Sequence, residues 1–110
     1  MQSTKNIILE TATLKRKISP EKLEKVSQVF QGMAYPVRLE ILELLEDGRP
    51  YAVGEILEVV KIEASLLSHH LSKMKNIGII DSYRQGRNIY YQLTIKEISK
   101  IFDCIYACDI

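Results

Sequence analysis

In the stretch "SPEKLEKVSQVFQGM", Leu23, Val26, Phe30 and Met33 fall at the spacing that gives a helix one apolar stripe. Ser19 stands where an N-cap belongs, Pro20 takes the first helical position, Glu21 lies in the first turn, and Gly32 comes near the end. "PVRLEILELLEDG" repeats the device. Pro36 starts it, Val37, Ile41, Leu44 and Leu45 form the buried stripe, and Asp47-Gly48 stops it. A shorter third helix fits "VGEILEVV", with Val53, Ile56, Leu57 and Val60 inward, and a fourth fits "EASLLSHHLSKMKN", closed by Gly78.

After Gly78 the period changes. "IIDSYR" and "NIYYQLT" are rich in β-branched and aromatic residues, and "QGR" between them holds a glycine suited to a hairpin turn. The chain returns to helix in "IKEISKIFDCIYACDI", where Ile98, Ile101, Phe102 and Ile105 share one face. The expected fold is mainly α with a β-hairpin, an α+β arrangement of helix, helix, helix, helix, hairpin, helix. Residues 1–18 read either as a short helix or as a loose extension.

The fourth helix carries both histidines of the chain, His69 and His70. Advancing about 100° per residue puts Ser65, Ser68, His69, Ser72, Lys73, Lys75 and Asn76 on one arc. Leu66, Leu67, His70, Leu71, Met74 and Ile77 fill the other. Adjacent helical residues do not face each other, so the two histidines do not chelate one ion, and no third histidine completes a metal site. His70, between Leu66 and Met74, reads as a core histidine satisfied by one hydrogen bond. His69 belongs to a face of short hydrogen-bonding groups flanked by lysines. Such a face is either plainly solvated or built to enter the major groove, where base edges present distinct donor and acceptor patterns.

The context favours the groove. A short third helix, a tight "KIE" turn and an amphipathic fourth helix make a helix-turn-helix. Arg84, Arg87 and Asn88 give the hairpin tip a polar, basic character that suits phosphates or the adjacent minor groove.

Net charge is only +1, but it is sorted along the chain. Residues 61–92 carry five Lys or Arg against two acids, a sum of +3, and residues 36–60 carry two against six, a sum of −4. A length of 110 residues suits one domain whose modest core would profit from a partner subunit. No apolar run approaches the roughly 20 residues of a membrane span, and the N-terminus lacks the pattern of a secretory signal. A cytoplasmic location is expected, and the two cysteines are not a disulfide framework. No paired carboxylates, phosphate-binding glycine loop or cysteine with a neighbouring histidine suggests an enzyme, and no cofactor is expected.

From about Val26 to Leu93 the chain resembles the ArsR/SmtB family of winged helix-turn-helix transcriptional repressors. The resemblance rests on "MAYPVRLEILELL", on "VGEILEVVKIEASLLSHHLSKMKNIGII" and on "RQGRNIYYQL", three motifs in the right order and spacing. It implies a homodimer that binds a double-stranded DNA operator and pairs through its terminal helices. By position, Ser65, Ser68, His69, Ser72 and Lys73 would be contacts of a recognition helix at about 63–76. Arg84, Arg87 and Asn88 would be those of a wing at about 80–92. The division that follows is an arm or short helix at 1–18, a candidate for the dimer interface, a DNA-binding core at 19–94 and a dimerisation helix at 95–110. Where the family caps the recognition helix with Ser or Thr and a polar residue, this chain has Glu63-Ala64. That departure keeps open a winged-helix module that binds protein rather than DNA.

The metal-sensing motifs of the family are missing. Ala52-Val53-Gly54 stands in place of Cys-Val-Cys, and the last helix has no histidine. Cys104 and Cys108, four apart, are expected on one face of that helix, where two-fold symmetry could gather four thiols. They read either as a regulatory pair responding to soft metal, arsenical or oxidant, or as small apolar residues packed at a dimer seam. The inducer is unknown.

Overall fold

A computed structural model describes residues 17–110, which form five helices and a three-stranded antiparallel sheet. The helices are α1 (Pro20–Met33), α2 (Pro36–Leu45), α3 (Val53–Val59), α4 (Ala64–Ile77) and α5 (Ile98–Ala107). The strands are β1 (Tyr51–Ala52), β2 (Ile80–Gln85) and β3 (Asn88–Leu93), in the order β1-β3-β2. Among the described residues no helix is long and apolar enough to cross a membrane.

Local chemistry accounts for the helix ends. Ser19 Oγ accepts from the Lys22 backbone N–H at 3.2 Å, and Pro20 follows at the first helical position, where its missing N–H costs nothing. Pro36 disfavours helical geometry for the residue before it, and Tyr35 is extended (φ −130°, ψ 135°), which separates α2 from α1. Ala52 has no side-chain acceptor to cap α3, but Glu55 Oε1 accepts the Ala52 N–H at 2.9 Å.

The core gathers Ile41, Leu42 and Leu45 of α2, Ile56 and Val60, Leu67, Leu71 and Met74 of α4, and Ile79, Ile80, Leu93, Ile98 and Phe102. Removing each large side chain from water stabilises the fold by roughly 1.5–3 kcal/mol. Gly32 lets α1 approach α4: a Cβ there would lie 2.5 Å from Ile77 Cδ1 and 3.1 Å from Ile79 Cδ1.

At the end of α4 the Gly78 N–H donates to Lys75 O at 3.0 Å and the Ile79 N–H to Met74 O at 3.0 Å. This is a Schellman closure, completed by the buried pair Met74 and Ile79. Its left-handed residue, Gly78, has φ 93°. The closure sets the angle at which the chain leaves α4 for β2, so it aims the hairpin. Gly78→Ala should cost about 1–2 kcal/mol, the steric penalty of a Cβ in that region, read as a lower urea midpoint at an unchanged m-value.

The expected order of four helices, hairpin and helix is what the structure contains, with several differences. The two-residue strand β1 was not expected; it pairs Tyr51 with Tyr91 and Ala52 with Tyr90. Leu23 and Phe30 of the α1 stripe are 43% and 52% exposed, because only the C-terminal end of α1, at Gly32 and Met33, is buried in this chain. On α2 the buried set extends to Leu42 and Arg38, while Val37 and Leu44 are half-buried, since elements pack on α2 from more than one side. Leu66 and Ile77, at the rim of the apolar arc of α4, are exposed.

The last helix begins at Ile98, three residues later than its apolar pattern, and ends at Ala107. Cys108 is therefore an extended residue just past the helix (φ −82°, ψ 133°), and the expectation of two cysteines on one helical face is corrected. The expected arm at residues 1–18 lies, up to residue 16, outside the described residues.

Candidate nucleic-acid interface

The tight connection between α3 and α4 is held by backbone bonds. The Val60 N–H donates to Ile56 O at 2.8 Å and the Ile62 N–H to Val60 O at 3.0 Å, with the Val60 side chain fully buried. Leu67, Leu71 and Met74 then anchor α4 in the core, at 0–1% exposure. Their positions leave Ser65, Ser68, His69, Ser72 and Lys73 on the opposite face, all exposed, together with Lys75 and Asn76. The helix starts without a side-chain cap, since Glu63 at the N-cap makes no such bond.

Lys75 is not free. Its Nζ donates to Ser82 Oγ at 2.7 Å, which joins α4 to β2. β2 and β3 pair in register from Ile80 with Leu93 to Gln85 with Asn88, and Gly86 (φ 65°) and Arg87 form the two-residue turn. Arg84, Arg87 and Asn88 are exposed at this tip. Behind it the rings of Tyr83 and Tyr90 stack at 5.5 Å and 16°, a cross-strand pair that stiffens the hairpin. The structure thus places all eight residues singled out by sequence on exposed surface, five on α4 and three at the hairpin tip.

The histidines separate as expected. His69 faces outward, while His70 is half-buried and accepts a hydrogen bond from Arg38 Nε at 3.1 Å. Arg38 is only 7% exposed; its Nη1 donates to Gly32 O at 3.1 Å and its guanidinium lies 4.2 Å from the Tyr35 ring centroid. Sequence reasoning missed Arg38, whose partner on α4 is 32 residues away. It also missed Gln28 and Gln31 of α1, which face His69 and Lys73 across a cleft.

Burial, with the Arg38 charge and then His69 adding to it, holds the His70 pKa below its ordinary 6.5. Accepting from Arg38 requires an unprotonated Nδ1, so protonation breaks the bond and sets two cations together. The unfolded chain then binds the proton more readily, and stability should be fully present above pH 6.5 and decline as the pH falls toward the lower folded value. Urea midpoints of the native chain and of His70→Gln, whose amide oxygen can still accept from Arg38, should diverge above pH 6.5 and converge below it.

At the other end of the chain Cys104 and Cys108 are free and exposed. They share the wall of an apolar hollow of about 350 Å³ with Ile101, Ile105 and Ile110. A second apolar hollow, bounded by Val26, Val29, Phe30, Ile95, Ile98 and Ile101, adjoins it at Ile101. Among the described residues no three His, Cys, Asp or Glu side chains are grouped to hold a metal ion.

A helix pair with a tight turn, a second helix whose polar face is bare, and a basic hairpin packed beside it define a winged helix-turn-helix regulator. Residues 35–82 match the family described as bacterial regulatory protein, arsR family. An uncharacterized HTH-type transcriptional regulator of Methanocaldococcus jannaschii is 36% identical over 86 residues, which cover 76% of this chain and 97% of that protein. The transcriptional repressor PagR of Bacillus anthracis is 31% identical over 91 residues, 83% of this chain and 91% of PagR. The chain belongs to the arsR family, whose members are transcriptional regulators and not enzymes. The solved homodimeric winged helix-turn-helix DNA-binding domain Mb0332 of Mycobacterium bovis superposes with a TM-score of 0.68 at 26% identity, over 84% of this chain and 88% of that one.

Proposed function

We propose that this chain is a cytoplasmic, homodimeric repressor that inserts α4 into the major groove of a duplex operator and lays the hairpin along the flanking backbone. The observation that carries the reading is the two-sidedness of α4: Leu67, Leu71 and Met74 are locked in the core while Ser65, Ser68, His69, Ser72 and Lys73 stand bare. Short side chains on a rigid helix can approach base edges, and Lys73 with Arg84 and Arg87 supplies the phosphate contacts. Asn88 adds a donor and acceptor at the wing.

Pairing through the terminal helices is supported by the apolar surface that α1 and α5 leave uncovered, with Phe30 52% and Ile105 46% exposed. Two-fold pairing places the α4 helices on half-sites about one helical turn apart, roughly 10 base pairs. The thiols belong to the same surface. Cys104 and Cys108, although no longer on one helical turn, share one hollow, and pairing across that surface brings the partner's thiols near. A peroxide oxidises two such thiols to a disulfide and leaves as two waters. Arsenite exchanges its hydroxyl groups for thiolates, also releasing water. Either bond resets the spacing of the two recognition helices.

The test is fluorescence anisotropy of the purified protein on the promoter region of its own gene, repeated with peroxide, with arsenite and with Cys104→Ser, Cys108→Ser. Binding lost on treatment and retained in the double variant is the expected result. Binding indifferent to both reagents would leave the cysteines as packing residues. Failure to retain any DNA at low salt, alongside salt-insensitive association with a protein, would replace the repressor by a protein-binding winged helix.

A further inference from the structure

The geometry points to an oxyanion site in the cleft between α1 and α4, taking a single phosphate group. The cleft has a volume of about 420 Å³ and is lined by Gln28, Gln31, Tyr35, Arg38, His69 and Lys73, with no acidic side chain among the described residues of its wall. That volume lies within the roughly 300–1,000 Å³ usual for ligand sites.

What calls for an anion is Arg38. Its side chain is more than nine-tenths buried, and among the described residues it has no carboxylate partner; the ion pair found there joins Arg49 to Glu55 instead. The compensation it does have is incomplete. Gly32 O, at the negative end of α1, receives Nη1, but a helix terminus carries only about half an elementary charge. The Tyr35 face adds a cation–π contact, and His70 contributes a neutral acceptor. Nη2 donates to no described residue, and Arg38 is one of the residues that line the cleft. Lys73 adds a second positive charge to the same wall, and Gln28 and Gln31 add amide donors. A buried cation short of counter-charge, a surface cation and amides around one cavity, whose wall also holds the apolar Ile77, are the donor set of a phosphate site.

Two sources can supply that phosphate, a DNA backbone phosphate beside the groove entered by α4 or a free phosphate-bearing ligand. The first rests on the function proposed above and the second does not. The test uses the full chain and Gln31→Glu, which sets a carboxylate in the cleft at an exposed position where folding is undisturbed. Thr94→Glu, at the exposed position just after β3 and away from the hairpin tip, is its charge-matched control.

Inorganic phosphate is titrated without DNA at constant ionic strength, reading the His69 and His70 ring protons by NMR. The salt dependence of binding to a duplex is then measured for all three proteins. A saturable phosphate response that disappears in Gln31→Glu alone, with an unchanged salt slope, establishes a free-ligand site. A slope shallower by about 0.9 per protomer in Gln31→Glu but not in Thr94→Glu establishes a DNA phosphate as the occupant. A phosphate response that persists in Gln31→Glu, or no response together with equal slopes, would overturn the site. The phosphate arm decides the matter even for a chain that binds no DNA.

Discussion

Replacing Arg84 and Arg87 together by alanine should flatten the salt dependence of DNA binding more than any other pair of substitutions. Each phosphate contact contributes about 0.9 to the log-log slope through counterion release, so four arginines in a dimer contribute about 3.6. Between 50 and 200 mM salt, a fourfold change, that slope corresponds to roughly a hundredfold difference in how steeply affinity is lost. Both side chains lie at the hairpin tip and neither takes part in the core, so the doubly substituted protein should melt within about 0.5 kcal/mol of the native one. A slope that stays the same would remove the wing from the interface. A slope that flattens while the preference among sequences persists would assign base reading to α4, as the exposed Ser68 and His69 suggest.

The largest effect on stability is expected at Leu71, which is 1% exposed at the centre of α4. Leu71→Ala removes a side chain from the buried core cluster and leaves a cavity, a cost of about 2–5 kcal/mol. Against a total of roughly 5–15 kcal/mol for a domain this size, that is a large share, and the melting temperature should drop by on the order of 10 °C or more. Leu66→Ala, five residues earlier on the same helix, should change stability by less than about 0.5 kcal/mol, because Leu66 is 44% exposed. Comparable losses at the two leucines, by thermal melts at one protein concentration, would contradict the orientation of α4 and with it the assignment of its bare face.

That orientation was legible in the sequence because the interval between Leu67, Leu71 and Met74 can be satisfied by one helical face only. Proline and glycine punctuation did the same for the element ends, at Pro20, Pro36 and Gly78. Other features were hidden for identifiable reasons. Arg38 reads as a surface residue on α2, and nothing local reveals that it bonds His70 on α4 and the end of α1. β1 is two residues long, too short for an alternation to register. Periodicity puts Leu23, Phe30 and Ile105 on apolar stripes, yet a single chain leaves them exposed. The pattern reports that a side chain is apolar and on which face it lies, but not whether the same chain covers it. The position of Cys108 beyond α5 was hidden too, since no glycine or proline marks that end.

The central claim, that paired α4 helices read DNA, is tested most directly by hydroxyl-radical footprinting of the promoter-bound protein, with Ser68→Ala, His69→Ala measured beside it. Two protected segments about one helical turn apart, roughly 10 base pairs centre to centre, are expected, with the doubly substituted protein losing the site-specific pattern but keeping salt-sensitive binding. A single protected segment, or a footprint unchanged by the two substitutions, would contradict it.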